Sequence, residues 1–237
     1  MVDLLSVLLS ILLLSLYQWY LRVQLRRDPL YTVHGVNIAA REAWVQMVMG
    51  SEKPDVLAVQ TLRNSVMASS FMASTAILLL VGTATLVGSG ENSSSILHAL
   101  NVSGEKTDTI MAWKLMALLS DFFIAFFCFS MAVRFYNHVG YMICIPPARS
   151  SGAMSPALTV AYLNRAGFFY LLGLRSFFYS VPLVFWMFGP EFMIVATVVL
   201  ICALYPLDRA PKSTIARSQV LGGADAREAR EARASKP

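Results

Sequence analysis

The chain has 237 residues, of which 57% are hydrophobic and only 14% are charged, and its mean hydropathy is +0.59. This composition is too apolar for an ordinary soluble domain. The net charge of +5 does not indicate a nucleic-acid partner, because the basic residues flank apolar runs. The three cysteines are widely scattered, so neither a disulfide framework nor a metal site is predicted, and the sequence names no cofactor.

Four apolar runs cover about residues 2–21, 66–87, 110–135 and 177–205, and each is long enough for ~30 Å of hydrocarbon. The first lacks a basic leader and a small-residue cleavage site, so we interpret it as a retained anchor. We predict an all-α integral membrane protein, a four-helix transmembrane bundle within residues 1–208, multi-pass in a bacterial inner or plasma membrane. The Ala/Arg/Glu-rich tail, 209–237, is predicted to be disordered or frayed.

The fourth run has two interpretations. Ser155 and Pro156 form the N-cap and first position of a helix, whereas Gly189-Pro190-Glu191 interrupts the run. Either an interfacial segment precedes one kinked span, which we prefer, or a hairpin at Gly189 gives five spans. A second interfacial, amphipathic helix is predicted around residues 38–49, with Trp44 at the level of the headgroups.

The Lys and Arg counts of the loops predict the orientation of the chain. Residues 22–63 hold six basic residues, 89–109 hold one, and 134–175 hold four. The positive-inside rule therefore places the N-terminus outside, the first and third loops in the cytoplasm and the second loop outside.

Polar side chains recur at i, i+3 and i+4 where the second run begins and where the third ends. Because the two helices are antiparallel, we expect both sets at the cytoplasmic surface, with the head groups of Arg63 and Arg134 within about 10 Å of each other. They are either anchors with interhelical hydrogen bonds or a pocket for an anion such as a lipid phosphate or a carboxylate. The set is Gln60, Arg63, Asn64, Arg134, Asn137 and His138.

Asp121 lies near the middle of the third run, where an ionised carboxylate is costly. It is interpreted either as a structural hydrogen-bonding residue facing Ser74 and Thr75, or as a proton or ion relay. Lys114 is expected to extend outward toward the interface. If Asp121 forms a salt bridge instead, Arg175 is the candidate partner.

No catalytic residue is predicted, since the chain contains no HExxH motif, no GxSxG motif and no glycine loop that would hold a phosphate. All three histidines, His34, His98 and His138, lie outside the apolar runs, so paired ligands for an intramembrane haem are missing. The sequence therefore favours a protein that is not an enzyme.

Four segments in order resemble the membrane family catalogued as domain of unknown function 599, found in bacteria and plants. They are "HGVNIAAREAWVQMVM", "DVLAVQTLRNSVMASS", "VRFYNHVGYMI" and "FFYLLGLRSFFYSVPLVFWMFGPEF", and the resemblance covers about residues 5–208. It implies a multi-span membrane protein and supplies no catalytic assignment. The family signature includes Gln60, Arg63, Asn64, Arg134 and Asn137.

We therefore predict a non-enzymatic module in the lipid bilayer that binds an anionic lipid, or docks a partner, through the cytoplasmic-side Arg/Asn cluster. The alternative function is a small transporter or proton-coupled channel that uses Asp121. Expected partners are anionic lipid, a second copy of the chain in a homo-oligomer, or another membrane protein.

Overall fold

The computed structural model describes residues 2–51, 56–88, 103, 108–145 and 155–211. The predicted tail from residue 212 onward, His98 and most of the second loop lie outside these residues.

Six α-helices and no strands make up the described part of the chain. All of them except the second are long and apolar enough to span a membrane, which confirms the prediction of an all-α membrane protein. The helices are α1 (Val2–Arg27), α2 (Val33–Met49), α3 (Val56–Gly88), α4 (Asp108–Met142), α5 (Pro156–Trp186) and α6 (Pro190–Asp208).

Of the two arrangements for the fourth apolar run, the structure adopts the hairpin. Helix α5 begins as predicted, with the Ser155 hydroxyl accepting a hydrogen bond from the Leu158 N–H at 3.3 Å, and it continues through Pro182. The chain then turns at Gly189, whose φ of +154° is one that side-chain-bearing residues rarely adopt. Pro190 starts α6, so the fold has five candidate spans instead of the preferred four.

Helices α3, α4 and α5 are longer than the predicted spans. Their 33, 35 and 31 residues correspond to about 46–53 Å at 1.5 Å per residue, well beyond ~30 Å of hydrocarbon. The surplus length packs with α2 around a cluster of buried apolar residues that includes Val45, Leu62, Val139 and Leu163. The apolar face of α2 thus covers protein, and Trp44 packs against the same cluster. We call this the α2 end of the molecule.

The spanning helices pack in the order α3, α4, α5, α6, α1, with the most extensive contacts between α4 and α5. Small side chains let α3 and α4 approach closely, since Ala76 and Ala125 are fully buried against Phe129. Helix α1 packs mainly on α6 through a face that is largely polar. The buried residues of that face are Asp3, Ser6, Ser10, Tyr17 and Leu21.

The opposite end of the molecule, which we call the Asp3 end, contains a buried ion pair. Lys114 Nζ lies 3.2 Å from Asp3 Oδ1, and the Trp186 indole N–H donates to the same oxygen at 3.0 Å. Lys114 is 0% exposed and lies over the Trp186 ring. The expectation that Lys114 extends outward is therefore wrong, because α1 provides a carboxylate at its depth.

The five-helix arrangement makes a prediction about the side on which the chain ends. With the loop at residue 94 outside and the loop at residue 151 in the cytoplasm, an odd number of spans places residue 235 in the cytoplasm. Single cysteines introduced by Ser94→Cys, Ser151→Cys and Ser235→Cys, in a background lacking the native cysteines, are labelled with a membrane-impermeant maleimide in intact cells. We expect labelling at residue 94 only. Labelling at residue 151, or at residue 235, would contradict the orientation or the span count respectively.

Candidate functional site

The six residues of the predicted Arg/Asn cluster are all exposed. At ~100° per residue, Arg63 lies about 100° and both Gln60 and Asn64 about 160° from the buried Leu62 around α3. These side chains therefore point away from the face of α3 that packs on α4. The expected approach of Arg63 to Arg134 stays a prediction, and the helix faces argue against it.

Two of the predicted residues, Arg134 and His138, line a groove between α4 and α5. The His138 and Tyr162 rings are 4.7 Å apart, and the Arg165 guanidinium lies 5.1 Å from the centre of the Phe135 ring. The groove has a volume of about 310 Å³, and no α3 residue lines it. Its lining residues, which define the α4–α5 groove, are Met131, Arg134, Phe135, His138, Tyr162 and Arg165.

A larger cavity of about 440 Å³ lies between α1, α5, the start of α2 and the end of α6. Sequence reasoning missed it. The available signal was two pairs of polar residues at i, i+4 spacing at the edges of apolar runs, namely Gln18 with Arg22 and Arg175 with Tyr179. The lining residues, which define the α1–α5 cavity, are Gln18, Leu21, Arg22, Leu25, Thr32, His34, Phe168, Leu171, Leu172, Arg175, Tyr179 and Asp208.

A polar network connects three helices at one side of this cavity. Asp208 accepts a hydrogen bond from Arg175 Nη2 at 3.1 Å and another from the Tyr17 hydroxyl at 2.8 Å. The Gln18 side-chain amide donates to the Tyr179 hydroxyl. The other terminal nitrogen of Arg175, Nη1, is buried and has no hydrogen-bond partner within the described residues. Arg175 therefore pairs with Asp208 through one of its two terminal nitrogens.

The turn between α1 and α2 fixes His34 beside the cavity. The Thr32 side chain caps α2 by accepting from the Gly35 N–H at 3.2 Å. A Cβ at Gly35 would overlap the carbonyl oxygen of Pro29, so only glycine allows this tight turn. Burial lowers the pKa of His34 below its usual value, and the nearby guanidinium groups of Arg41 and Arg175 lower it further.

Asp121 has a partner other than those predicted. The Ser176 hydroxyl of α5 donates to Asp121 Oδ1 at 2.7 Å. Ser74 and Thr75, the predicted partners, instead donate to the backbone carbonyls four residues earlier in their own helix. This interhelical bond favours a structural role for Asp121. The relay through Asp121 stays a prediction.

Comparison with known proteins gives one family. The family model described as "Protein of unknown function, DUF599" matches residues 5–213, nearly all of the described chain. The chain belongs to this family. The resemblance found in the four sequence segments is thereby confirmed. No curated protein and no solved structure matches the chain. Family membership therefore brings no residue roles, and the site must be argued from its geometry.

The lowered pKa of His34 predicts a dependence of stability on pH. Because the unfolded chain takes up a proton at higher pH than the folded chain, this contribution is fully present above the usual histidine pKa of about 6.5 and is lost as the pH falls below it. This contribution of His34 should therefore lower the thermal midpoint of the detergent-solubilised protein as the pH is reduced from about 7 to about 5. We expect His34→Gln to reduce that fall. An equal fall in wild type and His34→Gln would contradict the assignment.

Proposed function

We propose that the protein is a non-enzymatic membrane module, in a bacterial inner or plasma membrane, that binds the anionic headgroup of a lipid in the α4–α5 groove. The observation that carries this proposal is the charge of the groove. Arg134, Arg165 and His138 line it, and none of its lining residues is acidic. Neither arginine has a salt bridge within the described part of the chain.

The chemistry of the groove suits a phosphate diester. A guanidinium group is planar and presents paired N–H donors that match two phosphate oxygens. The contact between Arg165 and the Phe135 ring restricts one of the two guanidiniums, which reduces the entropy lost when an anion binds. The edge-to-face contact between His138 and Tyr162 similarly restricts the opposite wall.

The depth of the groove also suits a headgroup. Arg134 lies 21 residues after Trp113, and Arg165 lies 21 residues before Trp186, so each is about 32 Å along its helix from a tryptophan near the Asp3 end. Tryptophans favour the membrane interface, and ~30 Å is the thickness of the hydrocarbon. This spacing supports a position for both arginines near the headgroups of the opposite leaflet, which the loop charges predict to be cytoplasmic.

Only part of the predicted cluster belongs to this site. Arg134 and His138 line the groove, whereas Tyr162 and Arg165 of α5 take the place of Gln60, Arg63 and Asn64. The exposed α3 residues remain available to a second copy of the chain or to another membrane protein. The transporter alternative has less support, since the described side-chain hydrogen bond of Asp121 is to Ser176.

The test measures lipid binding to the detergent-purified full chain by native mass spectrometry. Phosphatidylglycerol should bind more tightly than phosphatidylcholine to the wild type. At ~1 kcal/mol for each arginine near an anionic surface, the double variant Arg134→Gln/Arg165→Gln should bind phosphatidylglycerol roughly 30-fold more weakly. The matched control Arg63→Gln removes an exposed arginine outside the groove and should change the affinity little.

Two results would contradict the proposal. One is equal affinity for the anionic and the zwitterionic lipid. The other is a loss of affinity in Arg63→Gln as large as that caused by one groove substitution, since binding would then follow overall charge and not this site.

A further inference from the structure

The α1–α5 cavity combines an apolar wall with a polar wall. The apolar wall includes Leu21 and Leu171, and two further members, Phe168 and Leu172, are 51% and 38% exposed, so this wall opens to the surroundings of α5. The polar wall carries Arg175 and Asp208. Apolar surface with a few convergent polar groups is typical of a small-molecule site.

The polar wall has more positive than negative charge. Arg22 and Arg175 face the cavity together with a single carboxylate, that of Asp208. One oxygen of the Asp208 carboxylate accepts a hydrogen bond from Arg175 Nη2, and the other accepts one from the Tyr17 hydroxyl. Asp208 therefore forms no hydrogen bond with Arg175 Nη1. A buried cationic donor without an acceptor is costly. An anionic group in the cavity would balance the charge of the second guanidinium.

His34 adds a donor at the same wall. Burial and the two guanidiniums of Arg41 and Arg175 lower its pKa, so positive charge already surrounds this ring. A bound anion would oppose that effect and favour the protonated imidazole.

The size of the cavity limits the ligand. At ~30 Å³ for each water-sized group, a cavity of about 440 Å³ holds roughly 15 non-hydrogen atoms. That is enough for one short acyl chain with its head group, whereas a lipid with two chains would leave one chain outside the cavity.

We propose that the α1–α5 cavity binds a single-chain amphiphile with an anionic head group, a carboxylate or a phosphate. The head group lies between Arg22, Arg175 and His34, and the chain lies along the leucines and Phe168. This site is separate from the α4–α5 groove and shares no lining residue with it. The proposal for the cavity therefore does not depend on the lipid binding proposed for the groove.

The probe for this site is dodecanoate with a diazirine near the end of its chain, added to the full-length protein in phosphatidylcholine nanodiscs. We expect saturable photolabelling of the cavity residues on α5. Unlabelled dodecanoate or dodecyl phosphate should compete, and the stronger competitor identifies the head group. Dodecanol, which has no charge, should compete at least roughly tenfold less well.

Variants separate binding from folding. Arg22→Gln leaves the Arg175–Asp208 pair intact and should weaken labelling roughly tenfold. The matched control Arg26→Gln removes an exposed arginine on the same helix that does not line the cavity, and it should have no effect. Leu172→Trp fills the cavity from its exposed wall and should abolish labelling. Arg134→Gln/Arg165→Gln should leave labelling unchanged.

Three results of the labelling and competition experiments would each overturn this inference. They are labelling outside the cavity lining, equal competition by dodecanol and dodecanoate, and undiminished labelling in Leu172→Trp. Equal losses in Arg22→Gln and Arg26→Gln would also overturn it, since the charge of α1 as a whole would then explain the binding.

Discussion

The ion pair between Arg175 and Asp208 is the interaction on which the arrangement at the α2 end depends. It connects α5 to the last residue of α6, and the Tyr17 hydroxyl adds α1 to the same carboxylate. The two side chains are only 16% and 18% exposed. A charged side chain with so little exposure to water is costly unless it is paired, so each of the two side chains requires the other. At the Asp3 end, a second pair, between Asp3 and Lys114, fixes the other end of α1.

These two ion pairs explain why the molecule has a cavity beside α1. Between membrane helices there is little hydrophobic driving force, because lipid tails are as apolar as leucine. Helix α1 is attached to α6 through polar contacts, such as the Thr197 hydroxyl donating to the Ser10 hydroxyl at 3.2 Å, and through an apolar cluster of Tyr17, Leu21, Leu200 and Leu204. The other face of α1 does not pack closely on α5, and the α1–α5 cavity lies in the space between the two helices. Helices α3, α4 and α5 instead pack through small and aromatic residues and extend together beyond the hydrocarbon.

The elements that the sequence predicts are those encoded locally. Apolar runs locate the spans, and Ser155 and Pro156 mark the start of α5. Gly189-Pro190 marks a break, but the spacing alone did not decide between a kinked span and a hairpin. The spans predicted from hydropathy are too short, because α3 and α4 continue as helices into more polar sequence. Hydropathy cannot show that α2 packs against these additional turns. Helical spacing identifies the face on which Arg134 lies but not the helix opposite it. For the same reason the partners of Lys114, Asp121 and Arg175, each on another helix, could not be predicted.

The most direct measurement of the central claim is a double-mutant cycle on the Arg175–Asp208 pair. Unfolding free energies would be measured for the wild type, Arg175→Met, Asp208→Asn and the double variant in the same detergent. If the pair holds α5 and α6 together, each single variant leaves a buried charge unpaired, and the double variant should be more stable than the sum predicts by about 1–3 kcal/mol. Additive effects within about 0.5 kcal/mol would contradict the claim.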